Sequence, residues 1–265
     1  MDLELSKKRA LVTGSSSGIG RAIAVMLAAE GANVVVHGRD RDRAAETADM
    51  IREGGAEADV VLGDLTDEQQ TDAICRQLAE SGGVDILVNN VGGRYGGWQR
   101  DEWFATSPNA WLESYRRNVI AATVLINALV PAMTRRRWGR VIQISSAVAL
   151  HQPPHFPDYQ AAKAAEINLS RSLAKALAGT GVTANCISAG IIDTPDSAPQ
   201  IAEAAAGLER TDDGRYDERR LALDVFRQSV DRVGRPDDIA AAVCYLAGSA
   251  ADFVTGVNLV VDGGI

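Results

Sequence analysis

A tyrosine and a lysine, Tyr159 and Lys163, stand four residues apart in a stretch with a helical pattern. On a helix, residues at this spacing share one face. A free tyrosine has a pKa of about 10, and a nearby ammonium group lowers that value because it favours the phenolate. The pair could therefore give or take a proton in acid–base catalysis. Taken alone, the same spacing also fits a solvent-facing pair on the surface of a helix.

Two serines close an apolar segment shortly before this pair. Ser145 and Ser146 follow the apolar residues 141–144, and Ser146 stands thirteen residues before Tyr159. Ligands of open parallel sheets bind at the carboxyl ends of the strands. A serine hydroxyl at that position could donate to a carbonyl oxygen and polarise it. The alternative is that the two serines cap a turn.

A glycine-rich segment, TGSSSGIG at 13–20, directly follows the first apolar run and begins a helical pattern. Glycines allow a tight turn there, and they let a pyrophosphate approach the backbone N–H groups at the start of a helix. The strand before the segment and the helix after it are the context that such a dinucleotide site requires. The residues predicted to contact the cofactor here are Gly14, Ser16, Ser17, Gly18, Ile19 and Gly20.

The end of the second apolar run indicates which dinucleotide is preferred. A site for NAD usually carries an acidic residue here, which accepts from the ribose 2′-hydroxyl. This chain has Gly38 at that position and Arg39 next to it. A guanidinium group suits a 2′-phosphate, so the pattern favours NADP(H) over NAD(H). Asp40 could instead serve as the N-cap of the following helix.

The elements that must position these residues alternate along the whole chain. Short β-branched runs occupy 10–13, 33–37, 60–62, 86–88, 141–144, 183–187 and 258–261. Helical patterns such as 42–54 and 67–81 lie between them. Continuous apolar strands separated by amphipathic helices predict a parallel sheet covered on both faces. We therefore expect one α/β domain over residues 1–265, a Rossmann-type doubly wound three-layer sandwich with a mostly seven-stranded parallel sheet.

Composition narrows the class of protein. The 265 residues carry a formal net charge of −8, which argues against nucleic acid or an anionic membrane as the main partner. The three cysteines are far apart, so we expect no disulfide and no metal site, and a cytoplasmic location. No apolar run approaches the roughly 20 residues that span a bilayer.

Two segments depart from this regular pattern. Residues 193–235 are charged, and we predict a substrate flap with helices at 202–208 and 218–230; the alternative is a mobile surface excursion. Four aromatic residues, Tyr95, Trp98, Trp103 and Phe104, cluster in a chain that is only 5% aromatic. They could form an apolar wall beside a pocket, or they could pack an inserted loop onto the core.

Taken together, these motifs resemble the short-chain dehydrogenase/reductase family over nearly the whole chain. Its cofactor loop is similar to residues 13–20, its NNAG motif to NNVG at 89–92, and its closing helix and strand to residues 234–264. The closest pattern is that of 3-oxoacyl-carrier-protein reductase-like members.

The resemblance implies a role for each of four catalytic residues. Tyr159 is the general acid in the reductive direction, and Lys163 binds the nicotinamide ribose and lowers the tyrosine pKa. Ser146 orients the carbonyl, and Asn118 holds a helix bulge and a water of the proton relay. The further cofactor-binding residues implied are Asp64, Leu65, Asn90, Gly92, Tyr159, Lys163, Gly190, Ile192 and Thr194.

The family resemblance leaves the substrate open. We expect reduction of a ketone to a secondary alcohol, or the reverse, in a 3-oxoacyl reductase or in a sugar, polyol or cyclic-alcohol dehydrogenase. Arg137 matches one basic residue used to dock a carrier protein, but Thr180 stands where a second is expected. His151 and His155 could line the pocket or face solvent. A non-catalytic nucleotide-binding regulator is the alternative from another class.

The resemblance also implies how copies of the chain associate. Members of the family usually form tetramers through two long helices, which would here lie at 108–136 and 159–178. Both segments have more apolar residues than one sheet face needs, so we expect a homotetramer, or otherwise a dimer.

Overall fold

The computed structural model describes residues 2–94, 103–209 and 216–265. Tyr95 and Trp98 of the predicted aromatic cluster, and residues 210–215 of the predicted flap, lie outside the described residues. The described part of the chain contains all seven predicted strands. They are β1 (Arg9–Val12), β2 (Asn33–Gly38), β3 (Ala58–Leu62), β4 (Ile86–Asn89), β5 (Gly139–Ser146), β6 (Val182–Ala189) and β7 (Asn258–Val261).

The strands form one parallel sheet in the order β3-β2-β1-β4-β5-β6-β7. The order reverses direction between β1 and β4, and this switch point is where such sheets bind their ligands. The predicted fold class, a doubly wound α/β sandwich, is confirmed. Because every neighbour is parallel, each connection must cross over one face of the sheet, and helices make these crossovers.

The helices of the described residues cover both faces of the sheet. They are α1 (Gly18–Ala29), α2 (Arg41–Glu53), α3 (Glu68–Glu80), α4 (Pro108–Tyr115), α5 (Ala121–Arg136), α6 (Val148–His151), α7 (Pro157–Ala176), α8 (Ala198–Ala205), α9 (Glu218–Arg220) and α10 (Pro236–Ala247). Two π-helical turns, Arg116–Ile120 and Leu221–Val225, follow α4 and α9. The ends of α2 and α3 lie within one residue of the predicted ends.

Alternate residues of the strands face two separate apolar layers. Val12 and Ile142 pack with residues of α1 and α10 on one face, while Leu11 and Leu87 pack with residues of α3 and α5 on the other. All four side chains are buried. Fully burying one such side chain contributes about 1.5–3 kcal/mol, so the two layers hold the sheet, and hence the strand ends, in place.

One helical stretch is both long and apolar. Pro108–Arg136, which joins α4, a π-helical turn and α5, is long and apolar enough to cross a membrane by length and composition. Polar residues interrupt its sequence without interrupting the helix, so it contains no continuous apolar run of about 20 residues. Half of its most apolar window is buried inside the protein, where α5 packs against α3 and β5. Packing onto the sheet therefore accounts for its apolar character.

The predicted flap has more internal structure and less helix than expected. A helix does occur near 202–208, at α8, but the single helix expected over 218–230 was wrong. Helical structure ends at Val225, and Arg227 has a left-handed φ of 60°. Beyond it, the backbone N–H groups of Ser229 and Val230 both donate to Gly263 O, at 2.8 and 3.0 Å. These bonds to the C-terminal segment replace the helical ones.

Candidate active site

The glycine-rich turn joins β1 to α1 at the switch point of the sheet. Gly14 and Gly18 have φ of 65° and 54°, in the left-handed region that glycine adopts without strain. Ser17 is the N-cap of α1, but its side chain makes no capping bond within the described part of the chain. The first N–H groups of α1 are therefore directed at the opening, where a phosphate would be favoured.

Two side chains fasten this turn to its neighbours. Thr13 Oγ1 accepts from the backbone N–H groups of Asn90 and Val91, at 2.8 and 2.9 Å. His37 Nδ1 accepts from Gly14 N at 3.0 Å, and its Nε2 lies 3.2 Å from Gly63 O. Burial lowers the pKa of His37 to about 4, so the ring is neutral and its Nε2–H donates to Gly63. The turn is thus held by β2, β3 and β4 together.

Beyond β2, the residues around Arg39 form the far end of the opening. Arg39 Nη1 lies 3.3 Å from Asp64 Oδ2, and the arginine side chain is 71% exposed. Burial raises the pKa of Asp64, but hydrogen bonds from Thr66 and the charge of Arg39 outweigh it, so the net pKa is lowered. Asp40 is the N-cap of α2, as the alternative interpretation predicted, because its Oδ1 accepts from Asp42 N and Arg43 N.

These elements enclose a cleft of about 660 Å³, a size typical of ligand sites. Most of the predicted cofactor residues line it. They are Gly14, Ser16, Ser17, Gly18, Ile19, Gly20, Arg39, Asp64, Leu65, Asn90, Gly92 and Thr194. Gly190 and Ile192 do not line it: Gly190 donates to Val261 O, and Ile192 is buried and bridges Gly234. Both support the segment that brings Thr194 against Gly18.

The four predicted catalytic residues come together beside Gly92, at the edge of the cleft. Ser146 ends β5 and its hydroxyl is hydrogen-bonded to Tyr159, which lies in the first turn of α7 and is buried. The neighbouring Ser145 instead donates to Lys163 O at 2.8 Å, which fastens α7 to β5. The geometry thus separates the two serines, and Ser146 is the one directed at the tyrosine.

Lys163 lies one turn further along α7. Its Nζ donates to Ile144 O at 2.9 Å and to the carboxylate of Glu166 at 3.0 and 3.1 Å. The Nζ lies 5.7 Å from the centre of the Tyr159 ring. A Cβ on Gly92 would stand 2.9 Å from this Nζ and 2.6 Å from Asn118 Oδ1, so only glycine leaves room for both.

Asn118 sits in the π-helical turn Arg116–Ile120, at the predicted helix bulge. The side chain is buried, and its Nδ2 donates to Ser114 O and Gly93 O at 2.7 and 3.0 Å. Its Oδ1 accepts from Gly93 N at 3.0 Å. Asn118 therefore locks the loop after β4 onto the helix that faces α7, since a π-helical turn frees a backbone carbonyl for such a bond.

The net pKa of Tyr159 differs from the simple expectation for a tyrosine beside a lysine. Lys163 does lower it, as predicted, and so does the bond from Ser146. Burial raises it by more, and the charge of Glu166 adds to that increase, so the net pKa of Tyr159 is raised. The sequence reasoning was wrong about the net direction because it considered one neighbour and not the burial of the hydroxyl.

The other predicted pocket residues are more exposed than expected. Trp103 and Phe104 are 52% and 95% exposed, so neither packs a loop onto the core. His151 is exposed with its Nε2 3.2 Å from Asp262 Oδ2, and His155 is half-buried against the ring of Phe156.

Sequence reasoning missed several residues of the site, including Arg43, which also lines the cleft. His37 was treated only as the end of a strand, and Arg117, which lines the cleft, was not singled out. Glu166 could have been found, because it stands three residues after Lys163 and therefore shares its helix face.

Comparison with known proteins agrees with this geometry. Residues 8–204 match the family model described as short chain dehydrogenase. A 3beta-hydroxysteroid dehydrogenase 1 of Eggerthella lenta is 35% identical over 99% of this chain and 95% of its own length. A 3-oxoacyl-[acyl-carrier-protein] reductase FabG of Escherichia coli is 33% identical over 97% of each chain.

A solved structure is similar over the full length. L-Sorbose reductase from Gluconobacter frateurii, complexed with NADPH and L-sorbose, superimposes with a TM-score of 0.89 at 32% identity, over 100% of this chain and 98% of that one. The chain belongs to the short-chain dehydrogenase/reductase family. It is accordingly an oxidoreductase of the kind that acts on CH–OH and C=O groups with a nicotinamide cofactor.

Proposed function

We propose that this protein is an NADP-dependent oxidoreductase that reduces a ketone to a secondary alcohol, or catalyses the reverse reaction. The observation that carries the proposal is the hydrogen bond between Ser146 and the buried Tyr159 hydroxyl, beside the Lys163 ammonium at the edge of the cleft. A hydroxyl donor and a proton donor that meet at one point can engage the same carbonyl oxygen.

In the reductive direction, the residues that line the cleft would hold the reduced cofactor, which would supply the hydride to the carbonyl carbon. Ser146 donates a hydrogen bond to the carbonyl oxygen and polarises it. Tyr159 gives its hydroxyl proton to the same oxygen as negative charge develops there, and its raised pKa keeps that proton in place at neutral pH. Lys163 holds its positive charge beside the tyrosine and stabilises the phenolate that remains. Asn118 keeps Gly92 and Gly93 in position around them.

The geometry at the end of β2 supports NADP(H) as the cofactor. A Cβ on Gly38 would stand 3.0 Å from both Cβ and Oγ of Ser16, so an acidic side chain at this position would displace the glycine-rich turn. Arg39 and Arg43 both line this end of the cleft, and both are exposed. A 2′-phosphate bound at this end would meet the two guanidinium groups, while the nearby carboxylates of Asp40 and Asp64 are engaged in the N-cap of α2 and in the ion pair with Arg39. Several similar solved structures are described with NADP or NADPH bound.

A sugar or polyol substrate is the form of this proposal that we favour over a 3-oxoacyl thioester. Similar solved structures include the sorbose reductase above and a gluconate 5-dehydrogenase from Burkholderia cenocepacia in complex with NADP and tartrate. Thr180 supplies no second positive charge beside Arg137 for docking an acidic carrier protein. A cytoplasmic location and a homotetramer complete the proposal.

The test is NADPH oxidation with a panel of ketoses, cyclic ketones and a 3-oxoacyl thioester, comparing the wild type with Tyr159→Phe. Loss of the phenol should lower kcat by at least about 100-fold, because general acid catalysis contributes that much, while NADPH still binds. Tyr245→Phe, at an exposed tyrosine of α10, removes the same hydroxyl away from the site and is the control. Equal activity of Tyr159→Phe and wild type would refute the mechanism; NADPH binding without turnover of any carbonyl would indicate a nucleotide-binding regulator instead.

A further inference from the structure

Glu166 is a buried carboxylate beside the reacting groups that the proposed chemistry does not use. It follows Lys163 by three residues on α7, and the side chains of Lys163 and Glu166 are only 4% and 2% exposed. The sheet lies behind both of them. An isolated ion in such a place would be costly, so each of the two charges depends on the other.

The carboxylate determines how Lys163 is held. An ammonium group has three donor protons. One bond from Lys163 goes to Ile144 O, and the Glu166 oxygens accept the next at 3.0 and 3.1 Å. These bonds fix the position of Nζ, which lies close enough to Gly92 that a Cβ there would stand 2.9 Å from it. Without Glu166, one backbone carbonyl would remain to hold a long and flexible side chain.

Glu166 and Lys163 have opposite effects on the pKa of Tyr159. Lys163 lowers the pKa of Tyr159, whereas Glu166 raises it. Glu166 also raises the pKa of Lys163 against the effect of burial, so the lysine stays charged. The pKa of Tyr159 therefore depends on Glu166 as well as on Lys163 and Ser146.

We propose that Glu166 is a positioning residue of the reaction, which holds the Lys163 ammonium in place and sets the balance of charge beside the Tyr159 hydroxyl. This inference rests on the proposed function, because it assigns Glu166 a part in the same proton transfer. It acts through Lys163 and Tyr159 and does not itself touch the substrate.

The groups around Glu166 allow Tyr159 to be titrated at alkaline pH, because neither Glu166 nor Cys186 changes its charge over most of that range. These groups are Lys163 and Tyr159 on α7, Ser145 on β5 and Cys186 on β6. Burial raises the pKa of the Cys186 thiol to about 12, so it stays neutral over most of the alkaline range. Burial also raises the pKa of Glu166, to about 7, and Lys163 works against that increase, so above pH 8 the carboxylate is charged.

The experiment is an alkaline titration that follows the ultraviolet absorbance of phenolate, with the Tyr159→Phe curve subtracted to isolate Tyr159. Glu166→Gln keeps an oxygen acceptor but removes the charge, so the Tyr159 transition should move to lower pH by about one unit. Glu80→Gln, at an exposed carboxylate that ends α3, makes the same change in net charge and should leave the transition in place. In alcohol oxidation, the rising limb of the kcat–pH profile should move by the same interval, with KM for the alcohol changed far less.

An unmoved phenolate transition in a folded Glu166→Gln protein, or a shift to higher pH, would overturn the inference. If that variant does not fold, Glu166→Asp draws the charge back from Lys163 and should give a smaller shift in the same direction; no shift would again overturn it. The two proposals fail separately. Ketone reduction by Tyr159→Phe would refute the proposed function, whereas an unmoved transition beside an inactive Tyr159→Phe would refute the role of Glu166 alone.

Discussion

At the scale of single residues, the cofactor preference depends on the contrast between Arg39 and Gly38. Arg39 is 71% exposed and lies 3.3 Å from Asp64, so its guanidinium can reach a phosphate bound at the same end of the cleft. An acidic residue in place of Gly38 would both repel that phosphate and press against Ser16. The preference for NADP therefore has two sources at adjacent positions: the positive charge of Arg39 and the lack of room for a side chain at Gly38.

Arg39→Ala should weaken NADPH binding by about 10- to 100-fold, because hydrogen bonds to charged groups contribute about 1.5–3 kcal/mol. NADH lacks the phosphate, so its binding should change little. Dissociation constants from cofactor fluorescence measure both. Arg41→Ala is the matched control, since Arg41 is exposed two residues further along, at the start of α2, but does not line the cleft. Equal losses for the two cofactors would contradict the assignment of Arg39.

At the scale of elements, His37 links the glycine-rich turn to the ends of β2 and β3. The imidazole accepts from Gly14 and donates to Gly63, and the bond from Gly14 requires the neutral ring because a protonated Nδ1 cannot accept. Burial lowers its pKa from 6.5 to about 4, while hydrogen bonding to Gly63 and the charge of Asp64 limit the decrease. Between these two values the unfolded chain binds more protons than the folded one.

The contribution of His37 to stability should therefore be complete above pH 6.5 and be lost as the pH falls towards 4. The free energy of unfolding of the wild type relative to His37→Asn should decrease by about 3 kcal/mol over this interval. Urea unfolding at a series of pH values measures it. A difference that stays constant from pH 7 to pH 4 would show that the ring is not buried as a neutral group.

At the scale of the whole molecule, an open groove on the outer face of α5 and α7 is the surface through which we propose that the homotetramer forms. It is lined by Tyr115, Thr123, Ala161, Ala164 and Asn168 among others. On the same helical stretch, Leu112 and Ile120 are 69% and 51% exposed. Small residues on one helix facing larger ones on another suit a close helix–helix contact between symmetric copies.

Ala164→Arg should reduce the proposed tetramer to dimers or monomers, because a long charged side chain would be forced into the groove. Sedimentation velocity measures the change. Ala178→Arg, beyond the end of α7, adds the same side chain outside the groove and should keep the wild-type mass. If the Ala164→Arg variant forms an oligomer of the same mass as the wild type, the interface lies elsewhere.

The sequence predicted most where local pattern determines structure. Apolar runs determine strands, so all seven strands were predicted, and a glycine-rich turn between a strand and a helix has few other uses. It predicted least where bonds join distant segments. The backbone N–H groups of Ser229 and Val230 donate to Gly263, and no local pattern reveals that partner. The net pKa of Tyr159 was missed for a similar reason, since burial and Glu166 act only in the folded molecule.

The order of the site along the chain has a consequence for how such an enzyme can change. Among the described residues, those of 14–117 form almost all of the cleft, and Thr194, Pro195 and Asp196 join it from later in the chain. The segment that begins there has its own small apolar core, with Ile201, Ala205, Leu221 and Val233 buried together. It is also bonded to the C-terminal segment through Ser229 and Val230, but it contributes few residues to the cleft, so we expect its sequence to vary with little effect on the nucleotide half. We therefore expect that the substrate specificity of such an enzyme can change without a change in its cofactor specificity.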